Sequence, residues 1–119
     1  MEEKLMASLY KTLIIDCVKD YKDEFDNSLI KDCSNENWKE MVRLYKKLSD
    51  SDKEVFFNII KTVINDAIAS FLGGIDGSLT LIDFQDELKL TANGKELEDL
   101  QDTWYMYVED VLGKKSNEP

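Results

Sequence analysis

The sequence predicts a mainly α fold, α+β in class, with about four helices and one small β-hairpin between the third and fourth. Three observations predict it. Apolar residues recur every four positions through the first thirty residues. A dense apolar stretch lies between the turn signals Ser49-Asp50-Ser51-Asp52 and Gly73-Gly74. After Gly77 the apolar period shortens from helical spacing to alternation, the mark of strands. The chain has 119 residues, 43% of them apolar, with five glycines and one proline at its end. That is enough for one core and argues against a disordered linker.

Residues 3–30 read as one long amphipathic helix. Leu5, Leu9, Leu13, Cys17, Tyr21, Phe25 and Leu29 form a row at spacing four, widened by Met6, Tyr10, Ile14 and Val18. Such a row drifts around a helix of 3.6 residues per turn. The stripe should therefore wind, or the helix should break near Asp26-Asn27-Ser28. Asp32-Cys33-Ser34-Asn35 is a turn in which Ser34 or Asn35 can cap a second helix. That helix carries Trp38, Met41, Val42, Tyr45 and Leu48 on one face.

Ser51 followed by Glu54 has the capping-box spacing and opens the third helix. Its apolar residues, from Val55 and Phe56 to Phe71 and Leu72, occupy rows on more than one side, which predicts a central helix touched by several neighbours. Gly73-Gly74 is its expected left-handed stop. Leu79, Leu81 and Phe84, then Leu88, Leu90 and Ala92, alternate with polar or outward positions and predict a hairpin near 79–92, turning at Gln85-Asp86. A lone hairpin is marginal in water, so it must pack on the helices. Asn93 with Glu96 is the expected cap of a last helix bearing Leu97, Leu100, Trp104, Tyr107 or Val108, and Val111, ending at Gly113. The expected domain is 1–113, with 114–119 as a frayed tail.

Charge is the strongest compositional clue. The net charge is −10, from 15 basic and 25 acidic residues, and residues 76–119 contribute −7 of it, with 4 basic against 11 acidic side chains. Such a field opposes nucleic acid and anionic membrane surfaces, and it attracts a basic protein partner. A purely solubilising role is the competing reading. No basic n-region with an apolar h-region opens the sequence, and strictly apolar runs reach only three residues, such as Leu13-Ile14-Ile15. With two cysteines, Cys17 and Cys33, read as thiols in a reducing compartment, the expected location is the cytoplasm.

Histidine is absent, so the commonest general base and the usual activator of Ser or Cys nucleophiles are missing. No GxGxxG, GxxxxGK[ST] or GxSxG motif occurs, and a Cys/His zinc site cannot be assembled. An EF-hand loop ending its first half at Gly77 would have to begin at Leu72, which fails. The expectation is a non-enzymatic chain without cofactor or metal. Glu98 and Asp102 share a helix face and could be drawn as an acid pair or magnesium site, but a solvated polar face is the simpler reading. Trp104-Tyr105-Met106-Tyr107 packs four interface-prone residues into just over one turn, among carboxylates. The expected contact surface is Asp86, Glu98, Asp99, Asp102, Tyr105, Tyr107 and Glu109. The alternative is that neighbours cover both faces of the last helix.

The stretch Phe71-Leu72-Gly73-Gly74-Ile75-Asp76-Gly77, a short strand pair and then Leu97 to Trp104 resembles a pattern in small bacterial proteins, some of them immunity proteins of polymorphic or contact-dependent toxin systems. The resemblance covers about residues 50–110. It implies a cytoplasmic inhibitor that binds and blocks a toxin domain, often a basic nuclease, and it transfers no individual site residue. The different reading is a structural or regulatory homo-oligomer paired through the first helix, and a magnesium-dependent acidic-site hydrolase stands behind both. Monomer and homodimer are both compatible with the sequence.

Overall fold

A computed structural model describes residues 1–116. The first helix is continuous in three parts: α1 (Glu2–Leu9), a π-helical segment (Tyr10–Asp16) and α2 (Cys17–Asn27). A 3₁₀ turn (Ile30–Asp32) leads to α3 (Glu36–Lys46), then to α4 (Asp50–Asp76). Two short antiparallel strands, β1 (Thr91–Ala92) and β2 (Lys95–Glu96), precede α5 (Leu100–Ser116). The chain is mainly helical, with its hairpin between α4 and α5.

The π segment answers the drift that the four-residue spacing poses. Bonding from i to i+5 puts more residues into each turn, so a row at spacing four keeps its heading. The row kept inside is Met6, Tyr10, Ile14 and Val18, with Met6, Ile14 and Val18 buried, rather than the Leu5, Leu9, Leu13 row. The helix then ends at Asn27, where Ser28 turns extended.

Two core clusters hang on α4. One joins α1, the π segment, the C-terminal half of α4 and α5 through Met6, Ile14, Ile68, Leu72, Leu100 and Trp104. The other joins α2, α3 and the N-terminal half of α4 through Val18, Phe25, Val42, Tyr45 and Phe57. The partners of Phe25 and Met6 lie in reverse order along α4, so the first helix and α4 run antiparallel. Phe25 is the hub of the second cluster, with ring centroids 4.7 Å from Trp38 and 5.0 Å from Tyr45. The Tyr45 hydroxyl donates to the Asp26 carboxylate.

Several termini differ from the sequence reading. Asn35, one of the two residues expected there, does cap α3, its Oδ1 accepting from the Trp38 amide at 2.9 Å. Ser49, not Ser51, caps α4, accepting from the Asp52 amide at 3.1 Å, because Asp50 and Asp52 are themselves welcome in a first turn. Gly73 and Gly74 do not stop α4. They let other chain segments come close: a Cβ on Gly73 would lie 2.4 Å from Gln101 Nε2, and one on Gly74 would lie 2.8 Å from Leu81 Cδ2. The left-handed stop is Gly77, at φ +86°.

The hairpin expected near 79–92 forms later. Residues 79–90 make no strand, and the turn is Asn93-Gly94, with both residues at positive φ (54° and 79°) as a type I′ turn requires. Asn93-Gly94 is thus the turn that Gln85-Asp86 was expected to form, and Gln85-Asp86 has no comparable tolerance for that backbone. Thr91 pairs with Glu96 and Ala92 with Lys95, and the Leu97 amide bonds the Leu90 carbonyl at 2.8 Å. With Asn93 and Glu96 used in the hairpin, α5 starts at Leu100 without them as its cap. It also runs through Gly113, so 114–116 belong to the helix, and the rest of the expected tail, 117–119, lies outside the described residues.

Candidate functional site

What holds α5 in place decides which of its residues face outward. Leu100, Trp104 and Val108 recur every four positions and are buried, Trp104 completely. Burial of an indole leaves one N–H to satisfy, and Trp104 Nε1 donates to Asn65 Oδ1 of α4 at 2.9 Å. The start of the helix is capped from a distance. Asp99 adopts φ +51°, outside the extended region a capping residue uses, and the carboxylate of Asp76 takes that role. Asp76 Oδ2 accepts from the Gln101 amide at 2.9 Å, and its Oδ1 accepts from the Ser78 amide at 2.8 Å. Desolvation works against ionisation of Asp76, but the surrounding amide donors outweigh it and hold its carboxyl below the ordinary value. Gln101 Nε2 adds a bond to the Ala69 carbonyl at 3.1 Å. The end of α4 and the start of α5 are clasped together.

With that face turned in, the outer arc of α5 consists of Asp99, Asp102, Tyr105, Met106, Glu109 and Asp110, all exposed, with Met106 at 71%. Glu2 and Glu3 of α1 extend it at one end. Glu2 Oε2 accepts from the Glu98 amide at 3.1 Å, and that bond chiefly lowers the Glu2 carboxyl below its usual range. One groove brings Glu2 and Glu3 beside Glu98, Asp99 and Thr103. A second joins Glu3 to Thr103, Met106, Tyr107, Glu109 and Asp110. Glu98, Asp99, Asp102 and Glu109 form no ion pair with the side chains of residues 1–113.

Of the seven residues expected from the sequence, Glu98, Asp99, Asp102, Tyr105 and Glu109 share this surface. Tyr107 is turned inward: it is half-buried, with its ring edge-on to Tyr10 at 5.8 Å, although part of it still lines the second groove. Asp86 lies in the irregular segment between Gly77 and β1, exposed, and lines neither groove. Sequence reasoning missed Glu2 and Glu3, because only tertiary packing carries α1 to the start of α5. It also missed Asp76, whose signal was the Asp-Gly-Ser sequence that ends α4.

Cations gather elsewhere. Lys19, Lys22, Lys53 and Lys61 line a groove between the first helix and the N-terminal half of α4, shared with Asp26, Asp50 and Glu54. Lys53 Nζ lies 4.8 Å above the Tyr45 ring. Cys17 and Cys33 are separate free thiols. Among the described residues, no group of three or more His, Cys, Asp or Glu side chains converges as a metal ion would need. By length and composition α4 could cross a bilayer, and only 17% of its most apolar stretch is buried inside the fold. Comparison with known proteins finds no family model, no curated protein and no solved structure that matches the chain.

Proposed function

We propose that this chain is a non-enzymatic protein-binding module of the immunity or inhibitor type, cytoplasmic, which neutralises a basic partner such as a toxin domain. The observation that carries the reading is the outer arc of α5. It combines Asp99, Asp102, Glu109 and Asp110 with exposed Tyr105 and Met106 on a helix whose position is set by a buried tryptophan and a remote cap. Exposed carboxylates steer a cationic partner to the surface, and Tyr and Met supply apolar contact once it arrives. A rigid base lowers the ordering cost of binding.

The test begins with the gene immediately upstream. Where it encodes a toxin with a C-terminal effector domain, that domain is the ligand for stopped-flow binding at several ionic strengths. The on-rate should fall as salt rises. Glu98→Lys, Asp102→Lys and Glu109→Lys together should weaken binding by at least about a hundredfold while the helical circular dichroism stays intact. Asp99 is left alone because its left-handed backbone tolerates few replacements. Unchanged affinity in the triple variant sinks the proposal.

A further inference from the structure

The outer side of α4 is chemically unlike that of α5. Val55, Ile59, Val63, Ala67 and Phe71 follow one another at spacing four, and all five are exposed, Phe71 to 68%. Neither α5 nor the first helix covers this row, because both pack on the side of α4 that bears Phe57, Ile68 and Leu72. At 1.5 Å per residue the row is about 24 Å long. Between Val55 and Leu72 the helix carries only Lys61 and Asp66 as charged residues, so this face is nearly neutral in a strongly acidic chain.

The fold is also open for its size. Its surface is 8795 Å² at 13.8 kDa, where a compact monomer of that mass exposes about 6,600 Å². Its radius of gyration is 17.7 Å, where a compact domain of this length has about 13.5 Å. The excess of roughly 2,000 Å² is spread over the whole chain, the irregular stretch from 77 to 90 included, and the bare row of α4 is one part of it; a standard stable interface takes ~800 Å² from each partner.

We infer that the apolar row of α4 is the interface with a second copy of this chain, the two α4 helices crossing antiparallel about a two-fold axis near Val63. The row suits self-pairing. Val63 is its midpoint, so Ile59 of one copy meets Ala67 of the other, and Val55 meets Phe71, large against small at each level. Rows at spacing four interdigitate in the commonest class of helix crossing, and a two-fold makes one patch complementary to itself. The pairing leaves the acidic arc of α5 outward on each copy, since that arc faces away from α4. The inference is independent of the partner proposed above: the Glu98, Asp102 and Glu109 substitutions should not alter self-association.

Sedimentation equilibrium of the full chain from low to high micromolar concentration tests it. The expected mass is twice 13.8 kDa. Val63→Lys should weaken self-association at least about thirtyfold with the helical dichroism retained. Ile59→Lys should do the same and serves if the first variant fails to fold. In a Cys17→Ser, Cys33→Ser background, Val63→Cys should give a covalent dimer under mild oxidation, and Asp102→Cys should not. A 13.8 kDa species at high micromolar concentration overturns the inference, as does a dimer indifferent to both lysine substitutions. Flotation of a monomeric chain with phosphatidylcholine–phosphatidylglycerol vesicles, lost in Val63→Lys, would also overturn it and give the face to a membrane.

Discussion

The two core clusters are built on the same pair of antiparallel helices but are closed by different chemistry. Around Phe25, the second cluster is aromatic, and its polar clasp is a phenol donating to the carboxylate of Asp26. Around Trp104, the first is largely aliphatic, and it is clasped by an indole on Asn65 and by a carboxylate, Asp76, accepting from the start of α5. The proton that matters is therefore on a tyrosine in one region and absent from an aspartate in the other. Ile64 borders both clusters, so the question is whether they stand or fall together.

The largest effect is expected from Trp104→Ala. Removing a fully buried indole should cost about 3–5 kcal/mol. Hydrogen exchange then decides the issue. Equal loss of amide protection in α3 and α5 makes the molecule one cooperative unit, whereas loss confined to α5 and α1 makes the clusters separable.

Alkaline pH probes the second cluster through Tyr45, while burial also raises the Tyr10 hydroxyl beside the first cluster. Burial, and then the bond to Asp26, pushes the Tyr45 hydroxyl up to about 12. A pKa raised by folding contributes stability that is complete below the unfolded value near 10 and is lost as pH climbs from there towards 12. Tyr45→Phe should cost about 1–2 kcal/mol at neutral pH and remove that alkaline loss, read from denaturant midpoints across the pH range. An unchanged alkaline profile would assign the effect to another group.

Acid probes the first cluster by the opposite sign. The Asp76 carboxyl is held below its ordinary value, so its contribution is present above the unfolded pKa near 4 and fades as pH falls through the folded one. Asp76→Ala should cost about 1 kcal/mol at neutral pH, in the range of a lost helix cap, and should flatten the acid limb of the stability profile. Retention of that limb would show that Asp76 does not cap α5.

The candidate surface was legible in part for a similar reason of locality. Glu98, Asp102, Tyr105 and Glu109 could be placed on one polar face because i, i+3 and i+4 spacing is a property of a single helix. Tyr107 stood both on the apolar stripe and in the expected surface, and only the ring of Tyr10 against it decides for the inner side. Glu2 entered the surface only when α1 docked, since nothing local links it to Glu98, 96 positions away.

Local chemistry, then, determined the helices, the break after Asn27, the Asn35 cap and the concentration of acid after Asp76, because each depends on residues within a turn or two of one another. Tertiary structure alone decided the rest. It selected the Met6, Ile14, Val18 row over its equally apolar neighbour and kept it aligned with a π segment. It used Gly73 and Gly74 for close approach rather than for an ending, and it left Val55, Ile59, Val63 and Phe71 bare. An apolar row states that burial is favourable, but which surface arrives to bury it depends on segments far away in the chain.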